Sequence, residues 1–370
     1  MTEGVSAVIF EGTAPASPVE EMITRVRRAA VLDNLDKVKQ VPLIKETYLV
    51  TNDRDLAGAA RANGAQVLEN DIPPEKFHLG RSLQDLVVEH NLKKVFYFSG
   101  AGCPLITVEE IASICRLLVN RERFLYSNNT QSADIVAFTV TGDLSGADLP
   151  AVDNSLAWAL RDYLGLEQEL MPYSLGLLFD LDTPADLLVL GAGPFPGPRT
   201  RAVLDTCDLD YTRLNQAKAI MRGHYEDVFL IGRVGGPVME RLNSTLKLRL
   251  RVFSEERGMK ALGRMESGAV ISMLGLLLDH AGLERFFTYL SRVSHCAFID
   301  SRVLMAHYCF HLSEKERFLS DLGLWRQIEH PWLKEFTRAA VECTVPVVLG
   351  GHSLVSGSLW ALSCELAGLD

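Results

Sequence analysis

Short apolar runs alternate with longer amphipathic segments through the first half of this 370-residue chain. The runs at 7–10, 46–51, 66–68 and 94–99 are rich in β-branched and aromatic residues, which is typical of strands. The segments at about 18–33, 55–63 and 80–91 have the spacing of amphipathic helices. Strands and helices in this alternation predict a parallel sheet with crossover helices.

Polar residues with capping chemistry locate two further helices. Thr107 precedes Glu109 and Glu110, so it is expected to cap a helix with negative charge in its first turn. Thr183 followed by Pro184 predicts a second helix start. Apolar runs at 134–139 and 174–179 are predicted strands, and the latter would be the last strand of the first sheet.

A segment rich in glycine and proline at 191–199 can sustain neither a helix nor a central strand. We therefore predict a first domain at 1–190, a linker at 191–200 and a second domain at 201–370. The second domain again reads as α/β, with strands at 227–231, 247–253, 297–299 and 345–349. The apolar stripe of Met273, Leu276, Leu277 and Leu278 is expected to lie in its core.

Composition excludes several classes of protein. The net charge of −10 argues against a nucleic-acid partner, because polyanion binding needs a basic surface. No uninterrupted apolar stretch reaches the ~18 residues of a membrane span, and we expect a cytoplasmic protein that does not bind membranes. Seven cysteines without a Cys-x-x-Cys pair fit reduced, mostly buried thiols. A homodimer is compatible with this composition.

Four segments of the first domain carry a resemblance to a known family. They are the opening strand and loop at 8–13, the His78-Leu79-Gly80-Arg81-Ser82-Leu83 segment, the strand and loop at 94–107, and Phe179-Asp-Leu-Asp-Thr-Pro-Ala-Asp-Leu187. Together they resemble nucleotidyltransferases of the GT-A fold, such as the molybdenum-cofactor and phospholactate guanylyltransferases. The resemblance implies a GT-A (Rossmann-like), mostly parallel sheet, so the predicted fold class is α/β with a second α/β domain.

The resemblance also implies Mg²⁺-assisted transfer of NMP from an NTP to a phosphorylated small molecule. It places Asp180 and Asp182 as metal ligands and Asp182 as a catalytic residue. Glu11 is a second candidate catalytic residue, as a metal ligand or general base for a substrate that is not an NTP. The nucleotide-binding residues that it implies are Gly12, Gly80, Arg81, Ser82, Ser99, Gly100 and Gly102.

Two departures from the family pattern keep a second hypothesis open. Glu11 puts a carboxylate where the family has a phosphate-binding loop, and 99–104 holds only small residues where the family has a metal-binding aspartate. A like charge beside a triphosphate is unfavourable. The alternative is a catalytically degenerate domain that binds a nucleotide or sugar phosphate, with regulation or a separate activity in the second domain.

Two strand-to-glycine junctions are the candidate ligand sites of the second domain. Gly235 and Gly236 follow one predicted strand, and Gly350, Gly351, His352 and Ser353 follow another. Backbone N–H groups at such junctions bind anions, and Arg233 would add a positive charge. The Asp300-Ser301-Arg302 cluster lies at the end of a third strand. We expect a phosphate or carboxylate ligand at either junction, although glycine is also required where helices pack closely on a sheet.

Overall fold

A computed structural model describes residues 4–73, 76–130, 132–260 and 262–368. The chain divides into two compact units. The first unit comprises Met1–Ala14, Arg27–Leu178 and Gly197–Thr200, and the second comprises Pro15–Val26, Phe179–Pro196 and Arg201–Asp370. The linker predicted at 191–200 stays a prediction.

The first unit contains a seven-stranded sheet with the strand order β3-β2-β1-β4-β6-β5-β7. β6 runs antiparallel to β4 and β5, while the other pairs are parallel. The strands are β1 (Val5–Phe10), β2 (Ile44–Thr51), β3 (Gln66–Glu69), β4 (Lys94–Ser99), β5 (Phe124–Ser127), β6 (Ile135–Thr139) and β7 (Glu167–Leu170). The first six helices are α1 (Pro18–Val38), α2 (Arg54–Ala62), α3 (Leu79–Glu89), α4 (Val108–Asn120), α5 (Leu156–Leu164) and α6 (Leu175–Leu178).

The central strands are buried on both faces, which explains their continuous apolar sequence. Ala7 and Ile9 of β1 pack into one hydrophobic cluster, and Val8 and Phe10 pack into another. All six residues of β1 are buried. Successive side chains of a strand point to opposite faces, so a sheet covered by helices on both sides needs apolar residues at every position.

The last strand predicted for the first sheet, at 174–179, is wrong. Leu175–Leu178 forms the short helix α6, and the edge strand is β7. The Ser174 hydroxyl accepts a hydrogen bond from the N–H of Leu177 at 3.2 Å, which starts a helical turn. β7 escaped detection because its sequence, Glu-Gln-Glu-Leu, is polar and largely exposed.

The second unit contains a four-stranded, fully parallel sheet with the order β11-β10-β8-β9. Its strands are β8 (Glu226–Gly232), β9 (Leu248–Ser254), β10 (Cys296–Asp300) and β11 (Val347–Gly350). The remaining helices are α7 (Pro184–Ala192), α8 (Pro198–Leu204), α9 (Thr212–Met221), α10 (Gly236–Thr245), α11 (Met273–Ala281), α12 (Leu283–Val293), α13 (Arg302–His307), α14 (Glu314–Asp321), α15 (Pro331–Glu342) and α16 (Leu359–Ala367). A π-helical turn, Leu354–Ser358, precedes α16.

The predicted fold class is confirmed, since a mostly parallel sheet is accompanied by a second α/β sheet. The capping boxes of Thr107 with Glu110 and of Thr183 with Asp186 start α4 and α7 as expected. All seven cysteines are free thiols, and five of them are buried. Among the described residues, no helix is both long and apolar enough to cross a bilayer.

The core assignment of the α11 stripe is wrong for three of its four residues. Met273, Leu276 and Leu277 are exposed, and only Leu278 is buried. The run of consecutive apolar residues encircles the helix, so one helix cannot turn all of them to the core.

Candidate functional site

A cavity opens in the first unit where the parallel strands β1, β2 and β4 end. Ligands of open α/β sheets usually bind at this edge. The cavity has a volume of about 230 Å³. It is lined by Phe10, Glu11, Gly12, Arg27, Val50, Thr51, Asn52, Asn70, Ile72, Phe77, Leu79, Tyr97, Ser99 and Asp153.

Glu11, the first residue after β1, is buried and ion-paired. Its two carboxylate oxygens accept hydrogen bonds from Nε and Nη2 of Arg27 at 2.8 and 3.1 Å. The backbone N–H of Ala101 donates to the same carboxylate at 3.1 Å. The hydrogen-bond donors of a guanidinium and a backbone amide are therefore already engaged by the Glu11 carboxylate. Both kinds of donor commonly bind phosphate in other sites.

The small residues after β4 are required by this arrangement. A Cβ on Gly100 would lie 2.5 Å from Oε2 of Glu11, and a Cβ on Gly102 would lie 2.2 Å from Oγ of Ser99. The carbonyl of Gly100 accepts a hydrogen bond from the Asn34 amide at 3.3 Å. Lys37 of α1 donates to the carbonyl of Pro104 at 2.8 Å. Close packing thus accounts for both glycines of this loop.

Aromatic rings and two amide side chains form other parts of the cavity wall. Phe10 contacts the edge of Phe77 with ring centroids 5.9 Å apart, and it also contacts Tyr97. Asn52 exchanges two hydrogen bonds of 2.9 Å with the backbone of Thr13, which holds the loop after β1 in place. Oδ1 of Asn70 is inaccessible to solvent and has no hydrogen-bond partner among the described residues. Buried acceptors in proteins normally receive a hydrogen bond, so a donor group of a bound ligand would satisfy this oxygen.

The electrostatic environment of the cavity is acidic. Burial raises the pKa of Tyr97 well above its ordinary value, and the charges of Asp153, Asp134 and Glu11 raise it further. The phenol therefore stays protonated. Among the described residues that line the cavity, two are acidic, Glu11 and Asp153, and one is basic, Arg27.

The predicted nucleotide-binding residues of the first unit occupy different surroundings. Gly12 and Ser99 line the cavity. Gly80 packs against Leu149 and the carbonyl oxygen of Pro150, where a Cβ would clash at 2.5–2.8 Å. Arg81 is exposed and Ser82 is partly buried, both in the first turns of α3. Their assignment to a base-binding site stays a prediction.

The predicted metal ligands, Asp180 and Asp182, belong to the second unit. Asp182 is exposed, and Asp180 is partly buried. Within the part of the chain that the structure describes, no group of three or more His, Cys, Asp or Glu side chains is arranged to hold a metal ion. Mg²⁺ usually binds through one or two carboxylates together with substrate phosphates and waters, so the assignment of Asp180 and Asp182 as its ligands stays a prediction.

The predicted glycine junctions of the second unit lie at the carboxyl ends of β8 and β11. Gly235 and Gly236 precede or begin α10, and Gly350 ends β11. A Cβ on Gly350 would lie 2.8 Å from Ala185, and one on Gly351 would lie 3.0 Å from Thr183. Close packing of α7 against this loop therefore requires small residues there.

The Ser353 side chain forms a hydrogen bond within the protein. Its hydroxyl donates to the buried Asp186 carboxylate at 2.7 Å, and Ser358 donates to the other oxygen at 2.8 Å. Burial raises the pKa of Asp186 to about 6, although these hydrogen bonds act in the opposite direction. Ser353 therefore joins the π-helical turn to α7, whereas its predicted ligand-binding role stays a prediction.

Sequence reasoning missed several residues that line the first cavity. One of them is Arg27 of α1, which carries the ion pair with Glu11. Asn52 and Asn70 come directly after β2 and β3, which is the signal that could have identified them. Asp153 lies in an irregular segment where no local pattern indicates its position.

Comparisons with solved structures find distant likenesses that cover about half of this chain. A cytidylyltransferase from Leptospira borgpetersenii is 18% identical over 51% of this chain and 85% of its own, with a TM-score of 0.38. A nucleotidyl transferase from Methanothermobacter is 13% identical over 50% and 95%, with a TM-score of 0.39. Glucosyl-3-phosphoglycerate synthase from Mycobacterium tuberculosis, in a complex with Mn²⁺ and UDP, is 14% identical over 45% and 70%, with a TM-score of 0.34.

Each of these three TM-scores is below 0.5 and each identity is below 25%. The likenesses therefore carry no argument about this protein's activity. No protein-family model matches the chain, and no curated protein matches it significantly.

Proposed function

We propose that the first unit is a nucleotidyltransferase-like domain that binds the base and sugar of a nucleotide without catalysing metal-dependent transfer. The observation that carries this proposal is the Glu11 carboxylate, which is bound by Arg27 and the Ala101 N–H. In a phosphate-binding loop those donors would serve the ligand.

The size of the cavity fits a small, planar group of a ligand, such as a nucleotide base. Its volume of about 230 Å³ is below the roughly 300–1,000 Å³ of pockets for drug-sized ligands. A base with part of its ribose fits such a volume, whereas a triphosphate must extend beyond it. Phe10, Phe77 and Tyr97 supply aromatic surface for a base.

The polar groups of the wall supply recognition. The unpartnered Oδ1 of Asn70 can accept a hydrogen bond from an exocyclic amine or a ring N–H of a base. The fixed Asn52 keeps the loop after β1 in one conformation. A preorganised wall reduces the entropic cost of binding.

The charge distribution disfavours the phosphates. Of the lining residues that the structure describes, two carry carboxylates and one, Arg27, carries a guanidinium that is paired with Glu11. Nucleotidyl transfer requires charge neutralisation of the triphosphate, which Mg²⁺ and cationic side chains normally provide. The carboxylates at this edge would instead repel the negatively charged phosphates.

Isothermal titration calorimetry of the full chain tests the proposal. The four common ribonucleosides and their triphosphates serve as probes, with Mg²⁺ and with EDTA. We expect at least one nucleoside to bind, its triphosphate to bind no more tightly, and both affinities to be independent of Mg²⁺. Asn70→Ala should weaken that binding about tenfold. Asn243→Ala, an exposed position on α10, is the matched control and should leave it unchanged.

Two results overturn the proposal. One is a triphosphate that binds only with Mg²⁺ and releases pyrophosphate in the presence of a phosphorylated acceptor, which would establish NMP transfer. The other is the absence of binding by every nucleoside at millimolar concentration.

A further inference from the structure

The helix α11 of the second unit is apolar on almost every side. The chain carries no charged residue between Glu266 and Asp279, a stretch that includes most of this helix. A helix that is hydrophobic all round is normally buried on every side. In α11, however, the buried residues are Leu274, Gly275 and Leu278. The described residues therefore cover only one side of the helix.

Four exposed residues form a single stripe on the other side of α11. Met273, Leu276 and Leu277 are 62%, 48% and 43% exposed, and His280 is also exposed. Their spacing of i, i+3, i+4 and i+7 places them on one face of a helix. Helices that pack against other helices carry apolar residues at this spacing. These four residues are termed the exposed α11 face.

The helix α11 is anchored in its unit, so this exposure belongs to its folded conformation. Ser272 caps the helix, since its hydroxyl accepts a hydrogen bond from the N–H of Gly275 at 2.9 Å and donates to Glu255 at 2.6 Å. Near the other end, the Tyr308 hydroxyl donates to Asp279 at 2.9 Å. The exposed α11 face is thus part of a fixed helix rather than of a frayed one.

The exposed apolar area is that of the core of a modest interface. Ile271, which precedes the N-cap residue, adds a side chain that is 67% exposed. A fully exposed apolar side chain has on the order of 100 Å² of apolar area. Ile271 and the three apolar residues of the exposed α11 face therefore expose roughly 200 Å² together. Standard interfaces bury about 800 Å² on each partner, with a polar rim around the apolar core, and obligate ones bury more. A reversible association fits this area better than an obligate one.

The charges of the chain indicate what covers this face. Helices that lie on a membrane carry Lys and Arg beside their apolar face. Asp279 is the only Asp, Glu, Lys or Arg of α11, and the chain has a net charge of −10, so anionic headgroups would be repelled. A partner with a strongly charged surface would find no opposite charge on the exposed α11 face. A second copy of the chain offers an uncharged apolar face of the same length, and interface cores are depleted of charged residues.

We propose that the exposed α11 face packs antiparallel against the same face of a second copy, about a two-fold axis between positions 276 and 277. Leu276 then opposes the partner's Leu277, and Met273 opposes the partner's His280. The polar ring of His280 lies at the end of the contact rather than at its centre. The two helix dipoles are opposed, and the negative charge of Asp279 lies toward the positive end of the partner helix, which is favourable. Each copy contributes the same surface, as a closed dimer requires. This interface is independent of the nucleotide cavity proposed for the first unit.

Sedimentation velocity of the full-length protein between about 1 and 100 µM tests the proposal. We expect a reversible equilibrium of monomer and dimer with a dissociation constant in the micromolar range. Leu277→Glu and Leu276→Lys should each raise that constant at least about tenfold, because each brings a charge into the apolar centre of the contact. Leu117→Glu is the matched control, since Leu117 is an exposed leucine on α4 of the first unit. It should leave the equilibrium unchanged.

A mixture of the Leu276→Lys and Leu277→Glu variants tests the antiparallel register. The proposed pairing places the introduced lysine of one variant against the introduced glutamate of the other. The mixture should therefore dimerise more tightly than either variant alone. Circular dichroism of each variant establishes that it is folded.

Four results would overturn the proposal. The first is a wild type that stays monomeric at about 100 µM. The second is equal dimerisation of the wild type and the Leu277→Glu variant, which would place the contact elsewhere. The third is a mixture that associates no more tightly than its components, which would contradict the antiparallel pairing. The fourth is binding of the monomer to phosphatidylglycerol vesicles that Leu277→Glu abolishes, which would assign the exposed α11 face to a lipid surface.

Discussion

The carboxylate of Glu11 forms a two-point ion pair with the guanidinium of Arg27, at 2.8 and 3.1 Å, at the edge of the first sheet where a bound phosphate would be expected. Glu11 is 3% exposed and Arg27 is 26% exposed. Because this ion pair is partly buried and has two hydrogen bonds, it fixes the conformation of both side chains. The loops after β1 and β4 are joined through it, because Ala101 also donates to Glu11.

Gly100→Ala should destabilise the first unit. The added Cβ would lie 2.5 Å from Oε2 and 2.8 Å from Cβ of Glu11, and 2.9 Å from Val31. Overpacking of this kind lowers the free energy of unfolding by about 1–3 kcal/mol. Urea unfolding followed by circular dichroism measures the change.

The control for this substitution is Gly58→Ala on α2, where no atom lies within 4 Å of the added Cβ. That variant should be as stable as the wild type or more stable by up to about 1 kcal/mol, because alanine favours the helix. Equal stabilities of the two variants would show that Glu11 does not pack against Gly100.

The sequence predicted most strands because their burial on both faces leaves a continuous apolar signal. It could not predict β7, whose Glu-Gln-Glu-Leu sequence is that of an exposed edge. It also could not place Met273, Leu276 and Leu277, because a helix that is apolar all round has no pattern that distinguishes its buried side.

The candidate site was predictable in its location and only partly in its residues. The position at strand ends follows from the parallel topology. Glu11, Gly12 and Ser99, which were predicted with the help of the family resemblance, line the cavity, and their roles in binding stay predictions. Arg27 and Asp153 reach the cavity from a helix and an irregular segment, so their contribution depends on tertiary packing. The pairing of Glu11 with Arg27 joins positions 16 residues apart, which no local pattern specifies.

Asp186→Asn should change the pH dependence of stability. Burial raises the pKa of Asp186 from its ordinary value of 3.8 to about 6, so the folded state binds more protons than the unfolded state between these values. Its contribution to stability is fully present below pH 3.8 and is lost as the pH rises through 6. The wild type should therefore lose up to about 3 kcal/mol relative to the variant between pH 4 and pH 7.

Urea unfolding of both proteins across this pH range measures the difference. Asp162→Asn is the control, since Asp162 is exposed and its pKa is lowered by its hydrogen bond to Arg161. Its effect should be small and opposite in sign. A wild-type stability that rises relative to Asp186→Asn with increasing pH would contradict a raised pKa.

Asp321→Asn should strongly destabilise the second unit. The substitution leaves Arg302, whose side chain is 11% exposed, without its buried carboxylate partner. Removal of one member of a buried ion pair lowers the free energy of unfolding by about 3–5 kcal/mol. Glu335→Gln, in an exposed pair with Arg338, should lower it by less than about 1 kcal/mol. Similar losses from both variants, in thermal or urea unfolding, would argue against the buried pair.

The most direct test of the central claim is the ratio of monophosphate to nucleoside affinity in the wild type and in Glu11→Gln, measured by calorimetry in EDTA. The variant loses a negative charge beside the ligand and releases Arg27. Removal of a charge at this range changes binding by about tenfold, so the ratio should rise about tenfold in favour of the monophosphate. The nucleoside affinity itself should stay nearly constant. If Glu11 instead serves a metal-bound nucleotide, the variant will lose triphosphate binding that the wild type shows only with Mg²⁺, and this result would contradict a metal-independent nucleoside site.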